Sequence, residues 1–292
     1  MGLAVATALA KRGGWELHLL DMNVQSGEKA VKELGNVAKF HKCNVTAYKD
    51  QADIFDSVHK STGRLDFVYA NAGIVERFSF YEKNEQSPPP EINQASIDVN
   101  LKGVVITSYL AQHYFRLSKE SYGKGTQILI MTSSCGGLYP SPFSPMYSAA
   151  KHGVVGLMRS IAKHYYVRDK IRVCCTNPGT IKTNLLDVSR LSSTDRETDL
   201  LKAHGWSTFP EEYFTPIEKL VETVLMLIDG GAMEDSKGNK VAAGKDWMLA
   251  VEVNGNNHYF RDMPEYSDKM MEDVMKRTDV TEMAPEEMKY YN

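Results

Sequence analysis

Six short apolar runs separated by amphipathic stretches constrain this chain more than any other feature of its sequence. Glu16–Leu20, Ala38–His41, Leu65–Ala70, Gln127–Thr132, Ile171–Thr176 and Trp247–Val253 have the length and composition of strands. Several are apolar on consecutive positions, as parallel strands covered on both faces are. Helical periodicity fills the intervals at Leu3–Arg12, Gly27–Leu34, Tyr48–Lys60, Ile92–Arg116, Ser144–Tyr166 and Pro216–Ile228. Strand alternating with helix predicts βαβ units and an α/β fold with a doubly wound parallel sheet. Within 292 residues the reading is one such domain over residues 1–260 and a tail over 261–292, with a helix near Ser267–Arg277.

Two segments interrupt the rhythm. Glu82–Glu91 contains Pro88-Pro89-Pro90, and consecutive prolines supply no backbone donors, so it reads as a surface loop. Asp187–Pro210 is polar and irregular, either a lid over a pocket or a plain surface excursion.

The net charge of -3 leaves no electrostatic footprint for nucleic acid or an anionic membrane. Cys43, Cys135, Cys174 and Cys175 form no C-x-x-C pair and no zinc spacing with a histidine, so no metal site is expected. Unpaired thiols point to a reducing, cytoplasmic setting. No apolar run approaches the length that spans a bilayer.

The chemistry centres on Tyr147-Ser-Ala-Ala-Lys151. Positions i and i+4 of a helix share a face one turn apart. A phenol titrates near 10 and is a poor acid or base at neutrality, but a nearby ammonium favours the phenolate. The pair is therefore a candidate acid/base for a carbonyl or alcohol oxygen, although Tyr-x-x-x-Lys also occurs as an ordinary surface pair. Upstream, the apolar run Ile128–Met131 leads into Thr132-Ser-Ser134-Cys-Gly-Gly137, placing hydroxyls at the strand end where open α/β sheets bind ligands. Ser133 and Ser134 are not separated by physics; spacing to Tyr147 selects Ser134. Asn71-Ala72-Gly73 ends the Leu65 strand in a small turn. Asn100 sits inside a predicted helix, where asparagine is mildly unfavourable, with Gly103 weakening the helix further. Asn177-Pro178-Gly179-Thr-Ile181-Lys-Thr183 follows the Ile171 strand with backbone donors and two hydroxyls.

In this order and at these separations, the set resembles the short-chain dehydrogenase/reductase family from Gly2 to about Phe260. Within it, Ser134-Cys-Gly-Gly-Leu-Tyr-Pro and Pro145-Met-Tyr147-Ser-Ala-Ala-Lys151-His-Gly are most similar to the hydroxyprostaglandin-dehydrogenase-like branch. The resemblance implies hydride transfer between NAD and a secondary alcohol or ketone. In it Tyr147 exchanges the proton and Lys151 lowers its pKa and bonds the nicotinamide ribose. Ser134 orients the substrate oxygen, and Asn100 holds a water that links Lys151 to solvent. Thr183 and the backbone at Ile181 bind the carboxamide, with Pro178 and Gly179 shaping that face. Asp21, 19 positions after Gly2, suits the acidic residue on the adenosine ribose, and its charge disfavours a 2′-phosphate. Asn44-Val45 replaces the Asp-Val usual beside the adenine, with altered affinity expected. Leu185, Leu186, Leu191, Trp206 and Phe209 suggest an apolar substrate. A homo-oligomer through the two long helices is expected by resemblance only.

The departure is at the start. Family members open with a strand and a Thr-Gly-x-x-x-Gly-x-Gly turn, of which this sequence holds only the last glycine, Gly2. The expectation is a protein that begins upstream, with the first strand and the phosphate-binding turn missing from mid-sheet, between the Glu16 and Leu65 strands. Two alternatives remain open: a catalytically silent binding protein that keeps the fold, and an inactive truncated product.

Overall fold

The computed structural model describes residues 1–76, 80–81, 83–122, 127–183 and 210–282. Helix α1 (Gly2–Arg12) leads to strand β1 (Leu17–Asp21), α2 (Val24–Leu34) and β2 (Ala38–Lys42). Then come α3 (Tyr48–Thr62), β3 (Phe67–Ala70), the short α4 (Ala95–Ile97), α5 (Gly103–Tyr122), β4 (Ile128–Thr132), α6 (Pro145–Asp169) and β5 (Arg172–Pro178). The described remainder carries α7 (Ile217–Asp229), the hairpin β6 (Met233–Glu234) and β7 (Lys240–Val241), then β8 (Ala250–Asn254), β9 (Asn257–Phe260) and α8 (Lys269–Arg277). The predicted strands and long helices are recovered to within a few residues at their ends, where local signals are weakest.

The sheet is built in two main pieces. β1 and β2 pair in parallel, and β3-β4-β5-β8-β9 form the larger piece, parallel except for β9. Neither β9 nor the β6–β7 hairpin was anticipated, since both are short and only partly apolar. β1 and β3, expected to flank an absent strand, belong to different pieces. Side chains join them instead of a ladder. Leu17 and Leu19 of β1 share a cluster with Phe67 and Tyr69 of β3 and with Val5, Ala6 and Leu9 of α1. Trp15, just before β1, meets Phe67 edge-on at the start of β3, with ring centroids 6.3 Å apart. The two pieces therefore begin at the same end of the molecule, and their carboxyl ends share the other.

Helices cover both faces. α1 and α7 pack on one through Leu9, Leu220, Val224 and Leu227. α5 and α6 pack on the opposite face through Phe115, Val154, Met158 and Ala162. Arg172, almost fully buried at the start of β5, donates to the carbonyls of Leu227 (2.6 Å) and Ile228 (2.7 Å), which the end of α7 leaves without helical partners. It also pairs with the buried Asp246 at 3.1 Å, so the charge is both bonded and neutralised.

The predicted Ile92–Arg116 helix is not continuous. Asp98–Lys102 makes one π-helical turn between α4 and α5, with Asn100 inside it. An asparagine and a glycine weaken the α-helical ladder there, and π-turns of this kind recur at functional positions.

Close approach of α2 to β2 rests on a single glycine. A Cβ at Gly27 would lie 2.1 Å from Cε2 and 2.2 Å from Cδ2 of the Phe40 ring. Gly27→Ala is expected to destabilise the protein by about 1–3 kcal/mol, because overpacking outweighs alanine's better helix propensity of about 1 kcal/mol. Thermal unfolding checks this; a melting temperature at or above that of the parent would show that the ring moves freely.

Candidate active site

The carboxyl ends of the parallel strands collect the predicted residues. Ser133 and Ser134 follow β4, Asn71 follows β3, and Gly179 follows β5. α6 crosses this edge and brings Tyr147 and Lys151 one turn apart to it. Its approach is close: a Cβ at Gly137 would lie 2.3 Å from Ser133 Oγ and 2.6 Å from the Lys151 carbonyl oxygen. Only a glycine admits the helix here.

The two serines, equivalent in the sequence, take different roles. Ser133 is buried and its hydroxyl donates to the Lys151 carbonyl at 2.8 Å, fixing α6 to the strand. Ser134 turns the other way. Its Oγ accepts from Gly136 N at 3.2 Å on the side of Tyr147: a Cβ at Gly136 would lie 3.6 Å from the Tyr147 ring and 3.7 Å from Ser134 Oγ.

Lys151 is 2% exposed, and its Nζ donates to the Thr132 carbonyl at 2.9 Å. Burial pulls its pKa down to about 8. Nζ lies 5.6 Å from the centroid of the Tyr147 ring. The phenol moves in the opposite direction from that expected. Burial pushes its pKa above the usual tyrosine value, and the Ser134 hydrogen bond only partly pulls it back. Desolvation of the phenolate is the largest cause of the shift, and the Lys151 ammonium spends its hydrogen bond on a backbone carbonyl.

Asn100, fully buried in the π-turn, clamps the loop after β3. Its Oδ1 accepts from Ile74 N at 2.9 Å and its Nδ2 donates to Ile74 O at 2.8 Å. Asn71 Oδ1 accepts from Thr132 Oγ1 at 3.1 Å, linking β3 to β4. Between them Ala72 and Gly73 run past the lysine. A Cβ at Gly73 would come within 2.9 Å of Asn100 Oδ1 and 3.5 Å of Lys151 Nζ. Ser134, Tyr147, Lys151, Asn100 and Gly73 therefore form one constellation.

The remaining candidates lie around it. Gly2, at the start of α1, approaches Asn71, whose Nδ2 would be 3.0 Å from a Cβ there. Asp21, exposed at the carboxyl end of β1, accepts from Asn23 N at 2.8 Å. Asn44 Oδ1 accepts from Thr46 N and Oγ1, so its side chain shapes its own turn. Val45 packs on Gly103, where a Cβ would meet Val45 Cγ2 at 3.0 Å, and its carbonyl accepts from buried Gln51. Pro178 ends β5, Gly179 N donates to Val253 O at 2.8 Å, and Ile181 is buried in the core cluster beside α7. Thr183 is half-buried at the limit of this described stretch. The Leu185, Leu186, Leu191, Trp206 and Phe209 reading lies outside the described residues.

The chain fits a nicotinamide dinucleotide on its own geometry. Asp21, the bare backbone at Ala72-Gly73 and the ammonium of Lys151 line one sheet edge, a carboxylate, an uncovered backbone and a cation that suit the ribose hydroxyls and flat rings of a dinucleotide. Sequence reasoning missed Glu76, whose Oε2 accepts from the Tyr147 backbone N–H at 2.9 Å. Only the fold brings these two residues together.

Among the described residues, no group of histidine, cysteine or acidic side chains could hold a metal ion, and no helix is long and apolar enough to cross a membrane.

Comparison with known proteins agrees with this constellation. The family model for short chain dehydrogenase matches residues 1–193. A Penicillium rubens short-chain dehydrogenase/reductase, prx7, is 44% identical over 95% of this chain and 96% of its own length. That coverage does not bear out the expectation of a shortened chain, although no strand stands between β1 and β3 among the described residues. Rat 15-hydroxyprostaglandin dehydrogenase [NAD(+)] is 32% identical over 64% of this chain and 66% of its own, in keeping with the branch expected from the wording around Tyr147. The 5'-hydroxyaverantin dehydrogenase of Dothistroma septosporum is 36% identical over 55% of this chain and 57% of its own. A mainly parallel sheet with Ser134, Tyr147 and Lys151 at its carboxyl edge, matched over residues 1–193 by one family model, leaves one assignment: this chain belongs to the short-chain dehydrogenase family.

Proposed function

We propose that the chain is an NAD-dependent oxidoreductase that interconverts a secondary alcohol and its ketone. The observation that carries this reading is the meeting of Ser134, Tyr147 and Lys151 at one sheet edge: Ser134 Oγ and the Tyr147 ring both border Gly136, and the buried Lys151 ammonium lies 5.6 Å from the centroid of that ring. Bound NAD supplies the hydride acceptor at its nicotinamide ring. In the oxidative direction the substrate hydroxyl sits against Ser134, which orients it, and its proton passes to the Tyr147 phenolate, leaving the neutral phenol. Lys151 supplies positive charge that favours the phenolate before this transfer and bonds the nicotinamide ribose. Asn100 holds the loop after β3 and is assigned the water that relays the proton outward. Thr183 and the backbone around Pro178, Gly179 and Ile181 take the carboxamide side. Gly2, Asn44, Val45, Asn71, Ala72 and Gly73 border the rest of the dinucleotide.

Asp21 sets the preference for NAD over NADP. Its exposed carboxylate would accept from ribose hydroxyls and repel a 2′-phosphate. Asp21→Asn keeps an acceptor for Asn23 N–H and removes the charge. The gap between NAD and NADP dissociation constants is expected to narrow by about tenfold or more, as loss of about 1.4 kcal/mol of discrimination would give. Titration of both cofactors by fluorescence checks it. A parent chain that binds neither cofactor would overturn the enzyme reading; binding without turnover would favour a silent Rossmann protein.

The substrate class is an apolar secondary alcohol or ketone, on the strength of the leucines and aromatics between residues 185 and 209. Self-association through α5 and α6 is supported by Val105 and Tyr109, exposed one turn apart on α5. A cytoplasmic setting is supported by four unpaired cysteines.

A further inference from the structure

The first turn of α6 carries Tyr147, and its capping is unusual. Ser144 occupies the N-cap position but its side chain makes no capping hydrogen bond; its Oγ lies 3.1 Å from Ser141 Oγ instead. Pro145 has no amide hydrogen to satisfy, so the open donors begin at Met146 and Tyr147. A residue distant in sequence meets them. Glu76, three positions beyond Gly73, presents Oε2 to Tyr147 N at 2.9 Å. Its other oxygen, Oε1, is buried and has no hydrogen-bond partner among the described residues.

Glu76 is itself held by the catalytic loop. Asn100 clamps Ile74 through both its amide and its carbonyl, two residues before Glu76. The loop after β3 is thereby fixed at one end to the π-turn and at the other to the helix that bears the phenol. From the opposite side, Ser148 Oγ donates to Gly136 O at 2.7 Å. Tyr147 thus lies between two restraints, one from the Ser134 turn and one from Glu76.

We propose that Glu76 is a positioning residue for Tyr147: its carboxylate caps the first turn of α6 and so sets the phenol against Ser134 and Lys151. A helix's terminal turn frays unless its amides are bonded, and a negative group at this end also meets the helix dipole favourably. Misplacement of a reacting group by about 1 Å costs on the order of 100-fold in rate. Burial drives the Glu76 carboxyl above its usual range, while the Tyr147 and Met146 amides pull it back. The fold thus holds a half-buried carboxylate against the first turn of α6.

The inference rests on the dehydrogenase reading above, and the test separates the two. Glu76→Ala and Glu76→Gln are compared with the parent in NAD-dependent oxidation of a panel of apolar secondary alcohols and in amide hydrogen exchange of peptides covering residues 145–149. Glu76→Ala is expected to lower kcat by about 10–100-fold with little change in KM for NAD. The alkaline pH limb of kcat should move upward, because the Ser134 bond that lowers the phenol's pKa is loosened. First-turn amides should exchange at least about tenfold faster, a change of the size a lost cap produces. Glu76→Gln, whose amide oxygen accepts the same N–H, should restore kcat, pH limb and protection. An unchanged kcat and pH limb in a folded Glu76→Ala protein would overturn the proposal, as would failure of Glu76→Gln to rescue. An inactive parent would overturn the dehydrogenase reading, and the exchange rates would still decide whether Glu76 holds Tyr147.

Discussion

Tyr147→Phe is expected to lower kcat by about 100- to 10,000-fold, the range for loss of a positioned acid/base, while NAD binds almost as before. The substitution deletes one oxygen and leaves the ring in place. Ser134 Oγ beside it keeps its bond from Gly136 N. Loss of one hydroxyl costs folding no more than the about 0.5–1.5 kcal/mol of a single hydrogen bond, so the protein should remain folded and assayable. Because burial raises the phenol's pKa, the parent's alcohol oxidation should increase with pH through the alkaline range as the phenolate fills. That dependence should vanish in Tyr147→Phe. Steady-state kinetics against pH, with a fluorescence titration of NAD, measure all three effects. Turnover retained near the parent's level would remove Tyr147 from its assigned role.

What was legible in the sequence was what is local. Tyr147 and Lys151 stand four residues apart on a helix, and helical geometry alone puts them on one face. The strand ends were legible too, since consecutive apolar residues running into Asn71, Ser134 or Pro178 mark both the strand and its edge. Ser133 and Ser134 are not separated by local physics, because successive residues leave a strand end on opposite sides; only the spacing to Tyr147 on α6 selects Ser134. Glu76 was hidden. Its partner lies 71 residues away, and no periodicity announces a contact between a loop and a helix end. Asn100 was flagged as out of place in a helix, and the π-turn accounts for it.

The direction of the tyrosine shift was hidden by its physics. Sequence spacing gives the ammonium's proximity but not the desolvation of the phenol, and desolvation is the largest cause of the shift. The division of the sheet into two pieces was equally out of reach. Apolar runs identify strands, yet nothing in Leu17–Asp21 or Phe67–Ala70 states which neighbour completes each ladder.

Lys151→Met is expected to abolish useful activity and to make the protein more stable. In the folded chain the ammonium is buried with one hydrogen bond, to Thr132 O, and its pKa falls from 10.5 to about 8. At about 1.4 kcal/mol per pH unit, keeping it charged costs folding about 3 kcal/mol at neutral pH. Between about pH 8 and 10.5 the unfolded state binds the proton that the folded state has released, so the parent's stability rises with pH across that window. Methionine is of similar length, carries no charge and suits an apolar pocket. It forgoes the bond to Thr132 O, so the net gain at pH 7 should be about 1–2 kcal/mol, raising the melting temperature by a few degrees in a chain of this size. The advantage should shrink as pH rises through 8 and beyond. Activity should fall by about 100- to 1,000-fold or more, the cost of removing a preorganised charge from the reaction centre. Thermal melts from pH 6 to 10, run beside kinetics, test the two halves separately. A variant less stable than the parent at pH 7, with the same pH dependence, would mean that the Lys151 charge is well solvated and that its role in tuning Tyr147 has been misjudged. The opposite result would place the reaction centre's cost in a single buried ammonium, kept by the chain for what it does to the neighbouring phenol.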